Sequence, residues 1–373
     1  MAFRRAFAVL GAFALMTAVS APSFGQDYPQ PPSRPDDMQR PTERPTERPT
    51  QRPANQGPGQ NQDRKKLSKD ELAAYDAMNA LVNNVVAGKQ PAPSDVKLTW
   101  HNHFLKSNNN IYVPYTVDVE PGKLAATPVV MYVRVVSKDP AAIAAAAAKA
   151  KANARGGDST YAFEDVYFLP EVPTQVERAM ELPAGDYDVF IALAERAKDK
   201  KAQATAKTVV FTQPLSVPST GTTLTTSSVI LAKSIEQATA QLTGQQQLEQ
   251  PYTISGYKIT PRYTPTIPKT DELVFVFFIY NEGVAASGKP ELDVDYNFFR
   301  AAEEKPFSKL ATTSFNASTL PGEFDVSKGH QVFVGQGIPL TTFAPGDYKL
   351  EIKVNDKTNS STVTRSVPFT VAP

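Results

Sequence analysis

From Val96 to the C-terminus, short runs of apolar residues alternate with polar ones at a period of two, the pattern of half-buried strands separated by turns. VKLTW, IYVPYTVDV, VVMYVRVV, DVYFLPEV, YDVFIALAE and AKTVVFTQPLSV form one series. YTISGYKITPRY, ELVFVFFIYNE, ELDVDYNFFR, HQVFVGQGIPL, YKLEIKVND and VTRSVPFTV form a second. The unbroken run LVFVFFIY at 273–280 predicts a central strand buried on both faces or at a domain contact. Ahead of the strands the period changes. Leu72, Tyr75, Met78, Leu81, Val82 and Val85 share one helical face, and Ser68 with Glu71 has the spacing of a capping box. A helix over about 69–87 is predicted, ended by Gly88 and by Pro91 and Pro93, with its apolar face docked on the neighbouring domain.

The two series echo each other. LPAGDYDVFIAL begins at Leu182 and FAPGDYKLEIKV at Phe343, so Gly185, Asp186 and Tyr187 return as Gly346, Asp347 and Tyr348. Gly122-Lys123 and Gly288-Lys289 each precede a strand, and Val209-x-Phe211 matches Val367-x-Phe369. Landmarks in the same order at nearly constant spacing predict a mainly β fold, a tandem of immunoglobulin-like or fibronectin-like β-sandwiches. The Gly-Asp-Tyr triplets are read as structural: Gly for a positive φ, Asp for a bond to backbone, Tyr to start a strand. The first sandwich is expected over 96–240, a Gln-rich linker over 241–250 and the second sandwich over 251–373. An Ala-rich helical insertion is expected at 140–155, between Pro140 and Gly156, and a further helical or irregular element within 228–248.

Residues 1–25 join Arg4 and Arg5 to an apolar run of about 14 residues and then small residues, the layout of a cleavable secretory signal and too short to span a bilayer. Residues 26–66 hold nine prolines, with Pro41, Pro45, Pro49 and Pro53 four apart, and predict an extended, solvated, disordered spacer. Residues 67–95 are the helix and its connector. A secreted or periplasmic location follows, with no transmembrane segment once the signal is removed. In an exported chain, the lack of cysteine among 373 residues points to two cores large enough to fold without disulfides.

Candidate chemistry is sparse. The formal charge of +1 argues against nucleic acid, and without cysteine there is no thiolate zinc site or Cys nucleophile. GxSxG, HExxH, GxGxxG and P-loop motifs are all missing. Of three histidines, His101 and His103 lie two apart on a predicted strand and would face one way, so they are weak metal candidates needing a further ligand; an aromatic edge with Trp100 and Phe104 is the competing reading. Tyr161, Phe163, Tyr167 and Phe168 are read as core or interface first and as a sugar-binding surface second. No catalytic residue and no cofactor is expected.

The stretch from Pro339 through APGDYKLEIKVNDK, followed by Val367-Pro-Phe-Thr-Val, resembles the C-terminal β-sandwich modules of exported acidobacterial proteins that accompany von Willebrand A-related or GWxTD regions. This chain carries neither GWxTD nor a DxSxS motif. The resemblance implies an exported scaffold or interaction protein. The chain is accordingly expected to be a structural or protein-interaction scaffold of the cell envelope, with an assembly subunit as one form of that role, meeting a protein partner or itself at a sheet edge or apolar face. A carbohydrate-binding module and an envelope-polymer hydrolase are the alternatives.

Overall fold

The computed structural model describes residues 67–125, 127–152, 160–196, 206–239, 242 and 244–373, together with the backbone of 17–20. Apart from 17–20, the expected signal segment, and all of the expected spacer, lie outside the described residues. Helix α1 (Lys69–Val86) starts at Ser68, whose side chain and Glu71 form the capping box. Helix α2 (Pro140–Ala152) is the Ala-rich insertion; Asp139 accepts the Ala141 amide at 2.9 Å, and Ile143 is exposed.

The first unit contains β1 (Leu98–Asn102), β2 (Asn110–Val119), β3 (Val129–Ser137), β4 (Phe163–Leu169), β5 (Gln175–Leu182), β6 (Gly185–Glu195) and β7 (Thr208–Val217). The second contains β8 (Ile230–Gln237), β9 (Glu272–Tyr280), β10 (Leu292–Arg300), β11 (Thr313–Phe315), β12 (His330–Pro339), β13 (Gly346–Asp356) and β14 (Ser361–Ala372). The pairings of the first unit recur in the second. β1-β2-β5 on one sheet and β4-β3-β6-β7 on the other correspond to β8-β9-β12 and β11-β10-β13-β14, all antiparallel. Alternate residues from both sheets fill each interior, among them Val133, Ile191 and Met180 in the first and Phe277, Tyr296 and Ile352 in the second.

The repeated triplets make matching corners. Tyr187 donates its hydroxyl to the Pro183 carbonyl at 2.9 Å, and Tyr348 to that of Ala344 at 2.7 Å. Gly185 and Gly346 take φ of 155° and 148°, values a side chain disfavours. The aspartates do not bond to backbone as expected. Asp186 accepts from Ser216 Oγ and Asp347 from Thr370 Oγ1, both at 2.6 Å across to the last strand.

Register corrects one landmark. Leu215 faces Tyr187 and Phe369 faces Tyr348, so Gln213-Pro214-Leu215 is the counterpart of Val367-Pro368-Phe369. Val209-x-Phe211 corresponds instead to Val363-x-Arg365, because Phe211 lies opposite Ile191 and Arg365 opposite Ile352. The division between units also moves. Thr225–Thr226 and β8 pair with β9, so they belong to the second unit rather than to a first sandwich reaching residue 240. Within 241–250, Gly244–Glu249 forms helix α3, and Gln247 bonds the Thr253 carbonyl at 2.7 Å, so residues 244–249 are built into the fold and are not a free linker; 241 and 243 lie outside the described residues. ILAKSIEQ has a helix-like composition, and sheet pairing overrides it.

Helix α1 lies on the outer face of the β3-β6 sheet, where Ala74, Tyr75, Met78 and Val82 meet Val130, Tyr132, Phe190 and Ala192. A polar anchor sits inside this contact. Fully buried Arg134 donates to Asn79 Oδ1 at 2.6 Å and Asn83 Oδ1 at 2.7 Å on the helix, and its Nε donates to Tyr132 Oη at 2.8 Å. Glu164, 3.9 Å from the guanidinium, accepts from the Tyr75 and Tyr132 hydroxyls. The ring of Tyr161 covers Arg134 at 4.0 Å, which accounts for one of the four aromatics considered for ligand contact. Phe163 is in the core, Tyr167 packs under Arg178, and Phe168 packs beside α1 under Arg196.

Candidate functional site

The outer faces of the β2-β5 and β8-β9-β12 sheets meet, so that Leu105, Tyr112 and Ala179 share one buried cluster with Ile230, Tyr252, Val276, Phe278 and Phe333. The run 273–280 is therefore buried on both sides: Phe275 and Phe277 enter the second core while Val276 and Phe278 enter this interface. Polar groups complete the contact. Tyr112 Oη shares its one proton between the Gln247 and Pro251 carbonyls, each at 3.1 Å, and the Lys106 amide donates to Tyr280 Oη at 3.1 Å. The first strand breaks between β1 and Leu105–Ser107, where the Phe104 amide donates to Ser228 Oγ at 2.9 Å and the Ser228 amide to the Phe104 carbonyl at 3.0 Å.

Both candidate histidines stand beside this break. His101 stacks on Tyr263 with centroids 4.3 Å apart, and its Nε2 is 3.3 Å from Asp118 Oδ2. His103 Nδ1 is 3.0 Å from the Tyr252 hydroxyl, and its ring also lies against Tyr263 at 6.3 Å. The structure thus brings the two rings to one side, as their spacing predicts, but gives each its own partner. Desolvation, reinforced by His101, holds the His103 imidazole down to about 4, so it is neutral near pH 7. Burial pushes the Tyr263 hydroxyl up to about 12, and that hydroxyl pairs with Thr116. Among the described residues no three His, Cys, Asp or Glu side chains gather as a metal site needs.

Beside these rings a cleft of about 820 Å³ opens between the units, lined by Trp100, His101 and His103 of the first and by Thr225, Thr226, Tyr263 and Arg365 of the second. Sequence reasoning marked the histidines but not the residues that the second unit contributes. Arg365 carried no signal, because only the strand register shows where its side chain goes.

Glu282 is a buried acid near the interface. Desolvation pushes its carboxyl up to about 7, with Lys106 of the first unit opposing the shift and Asp356 adding to it. Asp356 is occupied, accepting the Gly283 amide at 2.7 Å and the Thr358 amide at 2.9 Å.

The repeated corners hold the sandwiches and lie outside the residues lining the cleft. No helix among the described residues is long and apolar enough to cross a membrane.

No family model matches the chain, and no curated protein matches it. Among solved structures it is similar to Escherichia coli alpha-2-macroglobulin activated by porcine elastase, at 10% identity and a TM-score of 0.21, over 76% of this chain and 22% of that one. The chain thus spans about a fifth of that protein's length. It is also similar to the fibronectin(III)-like modules of Clostridium thermocellum CbhA, at 8% identity and a TM-score of 0.18, over 74% of this chain and 94% of that one. Neither likeness assigns an activity or a ligand to this chain.

Proposed function

We propose that the chain is an exported structural and interaction scaffold of the cell envelope, built from two immunoglobulin-like or fibronectin-like sandwiches, that assembles with a second copy through the edge strand β12. The recurring sheet order and the two corner tyrosines support the sandwich type. The expected signal and proline-rich segment support export and display away from a surface.

The observation that carries the assembly reading is a contrast between equivalent edges. β5 ends its sheet with Glu177, Arg178 and Glu181 along it, and helix α3 packs against it. β12 reads HQVFVGQGIP and has no Asp, Glu, Lys or Arg. A long uncharged edge is a template for another strand, and charge is the usual protection against that. Its start already takes one: Thr17–Ser20 pairs antiparallel with residues 330–333. Those four residues belong to the expected signal, and its cleavage would leave the edge open. Two copies of β12 can then pair antiparallel about a two-fold axis without like charges meeting.

Sedimentation velocity of the chain lacking residues 1–25 tests this reading. A reversible dimer that Gln331→Lys converts to monomer supports it. A chain that stays monomeric at about 100 μM, where even a weak contact would show, overturns it. A dimer unaffected by Gln331→Lys, or crosslinking in cells only to a different protein, also counts against the second copy as occupant.

A further inference from the structure

Strand register exposes a substitution inside the internal repeat. Where the first unit places Phe211, packed against its core, the second places Arg365 at the same point of its last strand. A cation is therefore not what this position of the fold requires. Arg365 is half-buried at the cleft wall, where its Nε donates to Thr226 Oγ1 at 2.8 Å and its Nη2 to Thr225 Oγ1 at 3.0 Å. Guanidinium has five N–H donors, so three remain after these two bonds. Other basic groups of the cleft have partners: Arg262 pairs with Asp271 at 3.3 Å, His101 with Asp118 at 3.3 Å, and Lys106 Nζ donates to Asn281 at 2.9 Å. Among the described residues Arg365 has no ion-pair carboxylate, and no Asp or Glu is among those lining the cleft.

The rest of the lining indicates the ligand. Ser219, Thr220, Ser366, Asn102 and Gln213 offer side chains that donate and accept, which suits sugar hydroxyls. Trp100 and Tyr263 add aromatic surface. Backbone groups that an extended peptide would use are already bonded, since the amides of Phe104, Ser227 and Ser228 go to Ser228 Oγ and to the carbonyls of Phe278 and Phe104. The volume lies within the range of small-ligand sites. We propose that the cleft binds an acidic oligosaccharide, with a uronate carboxylate paired to Arg365 and the sugar hydroxyls taken by the surrounding Ser, Thr, Asn and Gln side chains. This site is independent of assembly through β12.

Calorimetric titration of the full chain with tri-galacturonate tests the proposal, against its methyl ester and against tri-glutamate. Tri-galacturonate should bind, and esterification should weaken it by about tenfold to a hundredfold, the effect of losing a charge-assisted bond. Arg365→Phe, which restores the first unit's residue, and Arg365→Gln should each cause a similar loss while unfolding at the parent temperature. The exposed Arg300→Gln should leave binding unchanged, which separates a site from general charge attraction. Binding that survives both Arg365 variants, no binding of tri-galacturonate, or equal Arg365-dependent binding of tri-glutamate overturns the proposal. If both Arg365 variants unfold, the ester comparison on the parent chain decides.

Discussion

The first sandwich and the second share their sheet order, a corner tyrosine, an aspartate bonded to the last strand and a proline in that strand, Pro214 or Pro368. They differ in what covers them. The first has α1 fastened over one sheet through Arg134 and a charged edge strand with α3 beside it. The second leaves an uncharged edge at β12 and carries Arg365 where its twin has Phe211. Residues common to both units serve what the two sandwiches share, and the candidate interaction surfaces lie where one unit departs from the other. The Gly-Asp-Tyr triplets make the same hydrogen bonds in both units, whereas Arg365 and the uncharged β12 edge belong to the second alone.

The largest effect separating the two units is expected at Arg134. Arg134→Met removes the charge that satisfies Glu164 and the donors that hold Asn79 and Asn83, and should cost about 3–5 kcal/mol. Denaturant unfolding followed separately at each unit should show the loss in the first; a loss of less than about 1 kcal/mol would mean that α1 docks by its apolar face alone.

The interface should respond to pH through two groups with opposite signs. Glu282 goes from an ordinary 4.5 to about 7 on folding, so its proton favours the folded chain; that contribution is full below 4.5 and is lost as pH rises through 7. His103 falls from 6.5 to about 4, so its contribution is full above 6.5 and is lost as pH falls through 4. Glu282→Gln keeps a neutral group in place and should raise stability at pH 8 by about 1–3 kcal/mol, with no gain at pH 4. A gain that is the same at both values would remove titration of Glu282 as its cause.

The smallest expected effect tests the likeness itself. Tyr187→Phe and Tyr348→Phe each delete one hydroxyl bond to a carbonyl four residues back, and each should cost about 1 kcal/mol. Thermal unfolding of the two variants should show matching losses. A loss in only one would break the equivalence of the corners.

Much of the fold was legible in the sequence because strand alternation, the Ser68 capping box and the Gly-Asp-Tyr turn are local signals. The boundary between units was not, since ILAKSIEQ has the composition of a helix and becomes β8 only through pairing with β9. Arg134 was hidden for a related reason: one arginine in VVMYVRVV reads as solvent-facing until α1 covers it. The cleft is less legible still. Its walls come from residues near 100, 220 and 365, and the chain shows no periodicity that joins them. His101 and His103 were flagged by type and spacing, but their partners Asp118 and Tyr252 follow only from tertiary contact.

Assembly as proposed requires that the uncharged β12 edge, and not the charged β5 edge, is where the molecule joins another copy. Sedimentation velocity of the chain without residues 1–25 measures this most directly, comparing Gln331→Lys in β12 with Gln175→Lys at the exposed start of β5. The expected result is a dimer for the parent and for Gln175→Lys and a monomer for Gln331→Lys. A monomeric parent, or a dimer lost through β5 and kept through β12, would contradict it.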